Sequence, residues 1–241
     1  MMRFDFHIHS KYSYDSISKI SDIIKRARIK GFNGIAITDH ETIKGAKIAE
    51  KYSNDEFIAI VGCEINTEIG DIIGLFLNEE IKSRKSMDVI DEIKGQGGIV
   101  VLPHPFRGHK WNLISDDILE NIGIIEGFNS RSGKEENLKS RKLANEMKLP
   151  MIAGSDAHLI QEIGNALTIF YDVELNDDNI QKVITNNKIS RELNGVETSI
   201  YQKMISSYIG AINKRGVYGL FERSISLPYK GIKRIIRDYK K

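Results

Sequence analysis

The stretch "RFDFHIHSKYSYDS", which begins at Arg3, places His7 and His9 one residue apart at the end of an apolar segment, with Asp15 six residues on. Side chains at i and i+2 of a strand point the same way. The two imidazoles therefore converge on one spot, as two ligands of one metal ion would; a hydrogen-bonded pair in the core is the other use of such spacing. The pattern returns in "GSDAH", where Asp156 and His158 stand two apart. "ITDH" brings His40, "VGCEIN" brings Glu64 and "VVLPHP" brings His104, each closing an apolar run, and "EIGDII" adds Asp71. Five of the six histidines stand at such ends. Imidazoles mixed with carboxylates, and no cysteine among them, suit Mn²⁺, Zn²⁺ or Fe²⁺ rather than Ca²⁺. The nine candidates (His7, His9, Asp15, His40, Glu64, Asp71, His104, Asp156 and His158) exceed the needs of one ion and point to two or three.

Short Ile-rich runs that alternate with amphipathic segments must position these groups. Strands are expected at 4–9, 34–38, 57–64, 71–77, 99–104, 124–129, 151–154 and 166–171, and helices at 18–30, 43–52, 87–94, 116–121, 135–148 and 178–186. Strand followed by helix, repeated, argues a parallel sheet covered on both faces. Polar residues gathered where strands end match a closed βα barrel, whose chemistry sits at the C-terminal ends of its strands. The first turn reads "HIHSKYS" and has no GxGxxG, which disfavours a dinucleotide-binding sheet.

The 241 residues are 41% hydrophobic and 28% charged, within the range of a soluble globular chain. No apolar run reaches the length of a membrane span and no leader pattern opens the chain. Cys63 is the single cysteine, so a reducing, cytoplasmic location is expected. Net charge is +2, but residues 201–241 hold ten Lys/Arg against two Asp/Glu, leaving residues 1–200 at −6. The composition shift suggests two parts, a catalytic barrel at 1–190 and a basic, mainly helical extension at 191–241.

The motifs "FHIHS", "TDH", "LPHP" and "GSDAH", in that order across residues 4–158, resemble those of the PHP (polymerase and histidinol phosphatase) family. The resemblance implies a metal-dependent phosphoesterase on a distorted (β/α)7 TIM-like barrel, here with the basic helical C-terminal extension. It implies that His7, His9, Glu64 and Asp156 hold a first ion and form the catalytic set. Glu64 would bridge to a second ion that His104 also binds, and Asp15, His40 and His158 would hold a third. Many relatives carry histidine where this chain has Asp71, a harder ligand that favours Mn²⁺. Ions of this kind acidify water and neutralise phosphate oxygens. Arg107 and Arg131, on loops at the same barrel end, are candidate phosphate clamps, and Asn129 is a candidate substrate contact. Asp39 is either an orienter of a ligand or a helix cap, Glu126 a buried ion-pair partner, His109 a leaving-group acid or a surface residue, and Cys63 core.

The expected substrate is a small phosphate monoester. A nuclease or nucleotidase with the same chemistry stays open, because the basic C-terminus could bind nucleic acid. An amidohydrolase is less favoured, since Glu64 stands where that class commonly has a carboxylated lysine. A vestigial barrel is disfavoured by the complete ligand set. In the tail, Met204, Ile205, Tyr208 and Ile212, and then Ile232, Ile235, Ile236 and Tyr239, fall at helical spacing opposite basic residues. Packing on the acidic barrel is the preferred reading, with nucleic acid or a membrane surface as the other two. Oligomeric state is not legible from these features.

Overall fold

Nine strands form one sheet in the computed structural model, which describes residues 1–173 and 177–216. They are β1 (Met2–Ile8), β2 (Gly34–Ile37), β3 (Ile58–Thr67), β4 (Gly70–Leu75), β5 (Ile99–Leu102), β6 (Ile124–Asn129), β7 (Met151–Gly154), β8 (Ala166–Phe170) and β9 (Arg191–Gly195). The spatial order is β7-β6-β5-β4-β3-β2-β1-β8-β9. The chain leaving β7 comes back to β1, where Asp156 N–H donates to His7 O at 2.7 Å and His9 N–H to Ala157 O at 2.8 Å. Strands β1 to β7 thereby curl into a nearly closed barrel. The helices are α1 (Ile20–Ile29), α2 (Lys44–Glu50), α3 (Ser86–Gly95), α4 (Asp116–Glu120), α5 (Lys134–Met147), α6 (Asp177–Thr185) and α7 (Ile200–Arg215).

The sheet is not wholly parallel. β1, β2 and β3 run together, as do β5, β6 and β7, but β4 is antiparallel to both β3 and β5. Only Glu68 and Ile69 separate β3 from β4, with Thr67 paired to Gly70. A connection that short makes a hairpin, since a parallel crossover needs a dozen residues or more. β8 is antiparallel to β1, and β9, a strand that no sequence pattern announces, pairs with β8 and carries the sheet past residue 190.

Two layers of hydrocarbon result. The barrel interior holds Phe4, Phe6, Ile60, Leu75, Val101, Ile152 and Phe170, and Ile180, Val183 and Ile184 of α6 join it. The Phe4 and Phe6 rings stack at 5.4 Å, and Phe170 meets both edge-on. The outer layer packs Ile20, Ile23, Ile24 and Ala27 of α1, with their counterparts on other helices, against Ile35, Ile37, Val61 and Leu102. Two helices depart from the expected pattern. Of the apolar positions Leu138, Leu143, Ala144 and Met147 expected to form the inner face of α5, Ala144 is buried and Leu143 and Met147 pack on the outer layer, but Leu138 is 58% exposed and the helix also buries Asn137 and Ser140. The buried residues of α7 are Ser206 and Gly210, while Ile205 and Ile212 stay exposed. The second stripe of the tail, Ile232 to Tyr239, lies outside the described residues. No helix among them is long and apolar enough to cross a membrane.

The register of β1 decides what faces the barrel mouth. Phe4 and Phe6 point inward and Ile8 packs in the outer layer. A strict two-residue period would keep Ile8 inside and turn His7 and His9 out. A shift in the pairing with β2 between Asp5 and Ile8 switches the faces and delivers both histidines to the mouth.

Gly34 marks where β2 passes closest to its neighbours: a Cβ there would meet the Phe4 ring and lie 2.6 Å from Ile58 O. Gly34→Ala should therefore destabilise the barrel by about 1–3 kcal/mol, read as a lower thermal unfolding midpoint. An unchanged midpoint would mean that β1 and β3 relax freely here.

Candidate metal centre

All nine sequence-selected ligands meet at one end of the barrel. His7 closes β1 and His9 follows it; Asp15 lies on the next loop; His40 follows β2; Glu64 sits in β3 and Asp71 in β4; His104 follows β5; and Asp156 and His158 follow β7. Seven of them, all but His7 and His9, line a cavity of about 300 Å³ together with Tyr14, Arg107 and Arg131; His7 and His9 lie beneath it, 1% and 0% exposed.

Ligand atoms cluster in overlapping groups. His9, Asp15, His40 and His158 form one, His7, His9 and Asp156 a second, Glu64, Asp71 and His104 a third, and His7, His104 and Glu126 a fourth, each with its atoms within 4.8 Å of one another. Glu64 joins them all: Oε2 lies 3.3 Å from His7 Nε2, from His9 Nε2 and from His40 Nδ1, and Oε1 lies 3.0 Å from His104 Nε2. Asp15 Oδ2 lies 3.0 Å from His158 Nε2 and 3.4 Å from His40 Nε2. Separations of this size are those between neighbouring ligands of one ion whose bonds are ~2.0–2.2 Å long.

The outward nitrogens show which way the lone pairs face. Nδ1 of His7 donates to Glu126 Oε1 at 3.0 Å, Nδ1 of His104 to Arg107 O at 3.2 Å and Nδ1 of His158 to Asp156 O at 2.8 Å. These bonds assign the tautomers and turn each Nε2 lone pair into the cluster. There the Nε2 atoms of His7 and His9 stand 3.1 Å apart, amid carboxylate oxygens. Lone pairs so placed repel one another unless protons or a cation lie among them, and this donor set fits divalent metal.

Burial and charge state the same demand. Burial works against ionising Glu64, but His7, His40 and His104 overcome it and hold its pKa well below the usual range. Asp156 is likewise held low, against burial, by Arg107 and His7. Burial opposes a charge on His9, yet Asp156 and Glu64 raise its pKa to about 10, and His7 and His40 are also raised by their carboxylate neighbours. The buried carboxylates thus call for positive charge, which protons or metal ions can supply.

Several buried groups aim the ligands. Glu126 spends Oε1 on His7 and Oε2 on His104 N–H at 2.7 Å and on Asn129 Nδ2 at 3.0 Å. It is the buried partner the sequence suggested, although it serves three groups. Glu162 was not anticipated: fully buried, it accepts from His158 N and Leu159 N and pairs with Arg131 at 3.0 Å. Its only local signal is its place four residues after His158, the spacing of a backbone turn. Ser13 Oγ accepts from His9 Nδ1 at 3.4 Å and donates to Asp15 at 2.8 Å. Asp39 neither touches His40 through its side chain nor caps α2, whose N-cap is Ile43. It grips Ser10 through N–H and Oγ, at 2.5 and 2.7 Å, and so fixes the loop that carries Ser13 and Asp15.

The remaining candidates divide. Arg107 lines the cavity and pairs with Asp156; Arg131 lines it and is tied to Glu162 and to Ser206 of α7. Asn129 is fully buried and commits its amide to Glu126 and Asp156, so its contact is with a ligand carboxylate rather than with the open cavity. His109 donates from Nε2 to Asp71 O at 2.9 Å, and burial, helped by His104, lowers its pKa to about 4. It is therefore neutral near pH 7, without the proton a leaving-group acid would give, and its contact steadies β4. Cys63 is buried in the outer layer, as expected.

Comparison with known proteins bears on family and fold. A family model described as PHP-associated matches residues 134–189. The uncharacterised protein MJ1587 of Methanocaldococcus jannaschii is 37% identical over 161 residues, 61% of this chain and 94% of that one. Among solved structures, a two-domain protein from Bacteroides vulgatus containing a predicted PHP-like metal-dependent phosphoesterase aligns with a TM-score of 0.68 at 18% identity, over 79% of this chain and 64% of that chain. The lesion-specific endonuclease PfuEndoQ from Pyrococcus furiosus aligns with a TM-score of 0.54 at 16% identity, over 80% of this chain and 57% of that chain. At these identities the structural likeness is one of fold, and this chain spans less than two thirds of either solved protein.

Two outcomes follow for metal binding. The carboxylates that raise the pKa values of His7 and His9 favour their protonated forms in the absence of metal, so titrating Mn²⁺ into weakly buffered protein should release protons, and affinity should rise with pH. No release would contradict the charge balance derived above. Glu126→Gln removes the charged partner of His7 and should weaken metal binding ~10–100-fold by calorimetry.

Proposed function

This chain belongs to the PHP family, and we propose that it is a metal-dependent phosphoesterase whose preferred substrates are small phosphate monoesters. The observation that carries the reading is the convergence of overlapping His/Asp/Glu groups on one cavity that also has two arginines in its wall. We assign His7, His9, Glu64 and Asp156 to a first ion, Glu64, Asp71 and His104 to a second, and Asp15, His40 and His158 to a third. Mn²⁺, Zn²⁺ and Fe²⁺ all suit these donors. Such ions, when bound, lower the pKa of a water and neutralise phosphate oxygens.

The chain's own residues do the rest. Arg107 and Arg131 place fixed positive charge at the cavity wall, where a phosphate dianion must lie, and their planar forks can each donate two hydrogen bonds. Their carboxylate partners, Asp156 and Glu162, keep both side chains oriented before substrate arrives. Glu64, shared among four imidazoles, ties the ion sites into one unit, so a change at one site is felt at the others. The apolar interior below His7 leaves the mouth as the route for water and substrate.

A cavity of about 300 Å³ favours a small ester over a polymer. The likeness in fold to an endonuclease, together with the basic composition of residues 201–241, supports nucleic acid as the second reading. We place the protein in the cytoplasm and regard residues 191–241 as an extension of the catalytic barrel.

A hydrolysis screen with Mn²⁺ over phosphorylated metabolites, nucleotides and short oligonucleotides separates the readings: turnover confined to oligonucleotides would replace the monoesterase by a nuclease, and no turnover of any ester would end both. Metal-reconstituted protein should contain two or three ions per chain by elemental analysis. Asp156→Asn should lower kcat by more than ~100-fold, beyond the loss typical of a merely supporting group, with the far-ultraviolet circular dichroism unchanged. Asp71→His should keep activity and shift metal preference toward Zn²⁺.

A further inference from the structure

Helix α7 presents a small, polar face to the cavity wall. Ser206 and Gly210 are its buried residues, and Asn213 continues the same face one turn on. Ser206 Oγ accepts from Arg131 Nη2 at 2.7 Å. Gly210 lies so close to the loop after β1 that a Cβ there would stand 3.0 Å from Asp15 Cβ and 3.5 Å from the Tyr14 ring. Asn213 Nδ2 donates to Tyr14 O at 2.7 Å, and Lys214 Nζ lies 3.4 Å from the centre of the Tyr14 ring. The ring also stacks on His40, with centres 4.8 Å apart and planes 17° apart. An imidazole stacked on one face leaves no room there for an ammonium, so His40 and Lys214 hold opposite faces.

Three cavity-lining residues are not candidate ligands: Tyr14, Arg107 and Arg131. Each arginine has a carboxylate partner. The Tyr14 ring is clamped, yet among the described residues its hydroxyl makes no hydrogen bond. A phenol is a neutral donor. It can bond a phosphate oxygen without repelling nearby cations and without competing for them, which neither a lysine nor a carboxylate could do at that place. A phosphoryl group offers more acceptor lone pairs than two arginines satisfy.

We propose that Tyr14 contacts the substrate, its hydroxyl donating a hydrogen bond to a non-bridging oxygen of the bound phosphoryl group, and that α7 is the clamp that holds it there. The same helix steadies Arg131, so one element backs two of the three groups that grip the phosphate. This inference rests on the phosphoester reading above, and the experiment separates the two.

Binding of inorganic phosphate to the metal-loaded full chain is measured by calorimetry, alongside ion content by elemental analysis. Tyr14→Phe deletes only the hydroxyl and keeps the ring between His40 and Lys214. It should raise the phosphate Kd about ten-fold or more, the loss expected for a hydrogen bond to a charged group, with ion content unchanged. The double variant Asn213→Ala, Lys214→Met keeps the hydroxyl but frees the ring. It should raise the phosphate Kd by a smaller factor and raise KM for a small ester more than it lowers kcat. Wild-type phosphate affinity in Tyr14→Phe would overturn the contact, and wild-type affinity in the double variant would overturn the clamp. Loss of an ion from Tyr14→Phe would assign Tyr14 to the support of His40 and Asp15 instead. If wild-type protein, fully loaded with metal, bound no phosphate, the phosphoester reading would fall and the inference with it, a failure visible before any variant is made.

Discussion

Glu64 is 2% exposed, and its two oxygens face the nitrogens of His7, His9, His40 and His104 at 3.0–3.3 Å. A carboxylate removed from water must be met by positive charge or take up a proton. Here Asp156 stands beside it, also buried, with Asp15 and Asp71 close by. Neutral imidazoles do not balance that charge, whereas protonated ones or divalent ions do. Much of the upper barrel follows from this constraint: the mouth is built to concentrate negative charge and lone pairs around places that only cations can fill.

The backbone accepts irregularity to deliver those groups. His104 and Asp156 both have left-handed φ values, 29° and 52°, a region that costs a residue with a side chain roughly 1–2 kcal/mol. Each is held by a short hydrogen bond at its own N–H, to Glu126 Oε2 and to His7 O, both at 2.7 Å. The register shifts in β1 and β6 act in the same way. The first turns His7 and His9 inward; the second lets Glu126 and Asn129, three residues apart, both reach the ligand cluster. At Gly154, where β7 passes behind His7, a side chain would collide with Glu126 and His7, so the strand carries none. The apolar lower half of the barrel, held by Phe4, Phe6 and Phe170, supplies the rigid floor that lets such irregularity persist above it.

Outside the cluster, buried carboxylates take a different role. Glu126, Glu162 and Asp39 are each at most 2% exposed and spend their oxygens on N–H and O–H donors of the chain. For Asp39 burial outweighs the two bonds from Ser10 and raises its pKa. These acceptors orient the groups around them. α7 adds a second tier of the same kind, bracing Arg131 through Ser206 and Tyr14 through Asn213 and Lys214. Its contact face of Ser206 and Gly210 gains little from hydrocarbon burial, and its hold on the barrel comes from close approach and polar pairing.

The ligand residues were readable in the chain because their spacing is local. A strand repeats every two residues, so His7 with His9, and Asp156 with His158, declare a shared direction, and histidines that close apolar runs declare a shared barrel end. Helix positions were readable for the same reason, as in the Ile20, Ile23, Ile24 and Ala27 face of α1. The two-residue link at Glu68 and Ile69 also contained the reversal of β4, although alternation of strand and helix elsewhere pointed to a parallel strand. Other features had no local trace. Which face of β1 lies inside depends on its register against β2, a relation between strands about thirty residues apart. Glu126 finds His7 across 119 residues, and Asn213 finds Tyr14 across 199. The apolar spacing of α7 pointed toward Ile205 and Ile212, but the helix buries Ser206 and Gly210, because the surface it meets is the polar rim of the site rather than hydrocarbon. Periodicity reports which side chains travel together along one element; only the meeting of elements decides what they face.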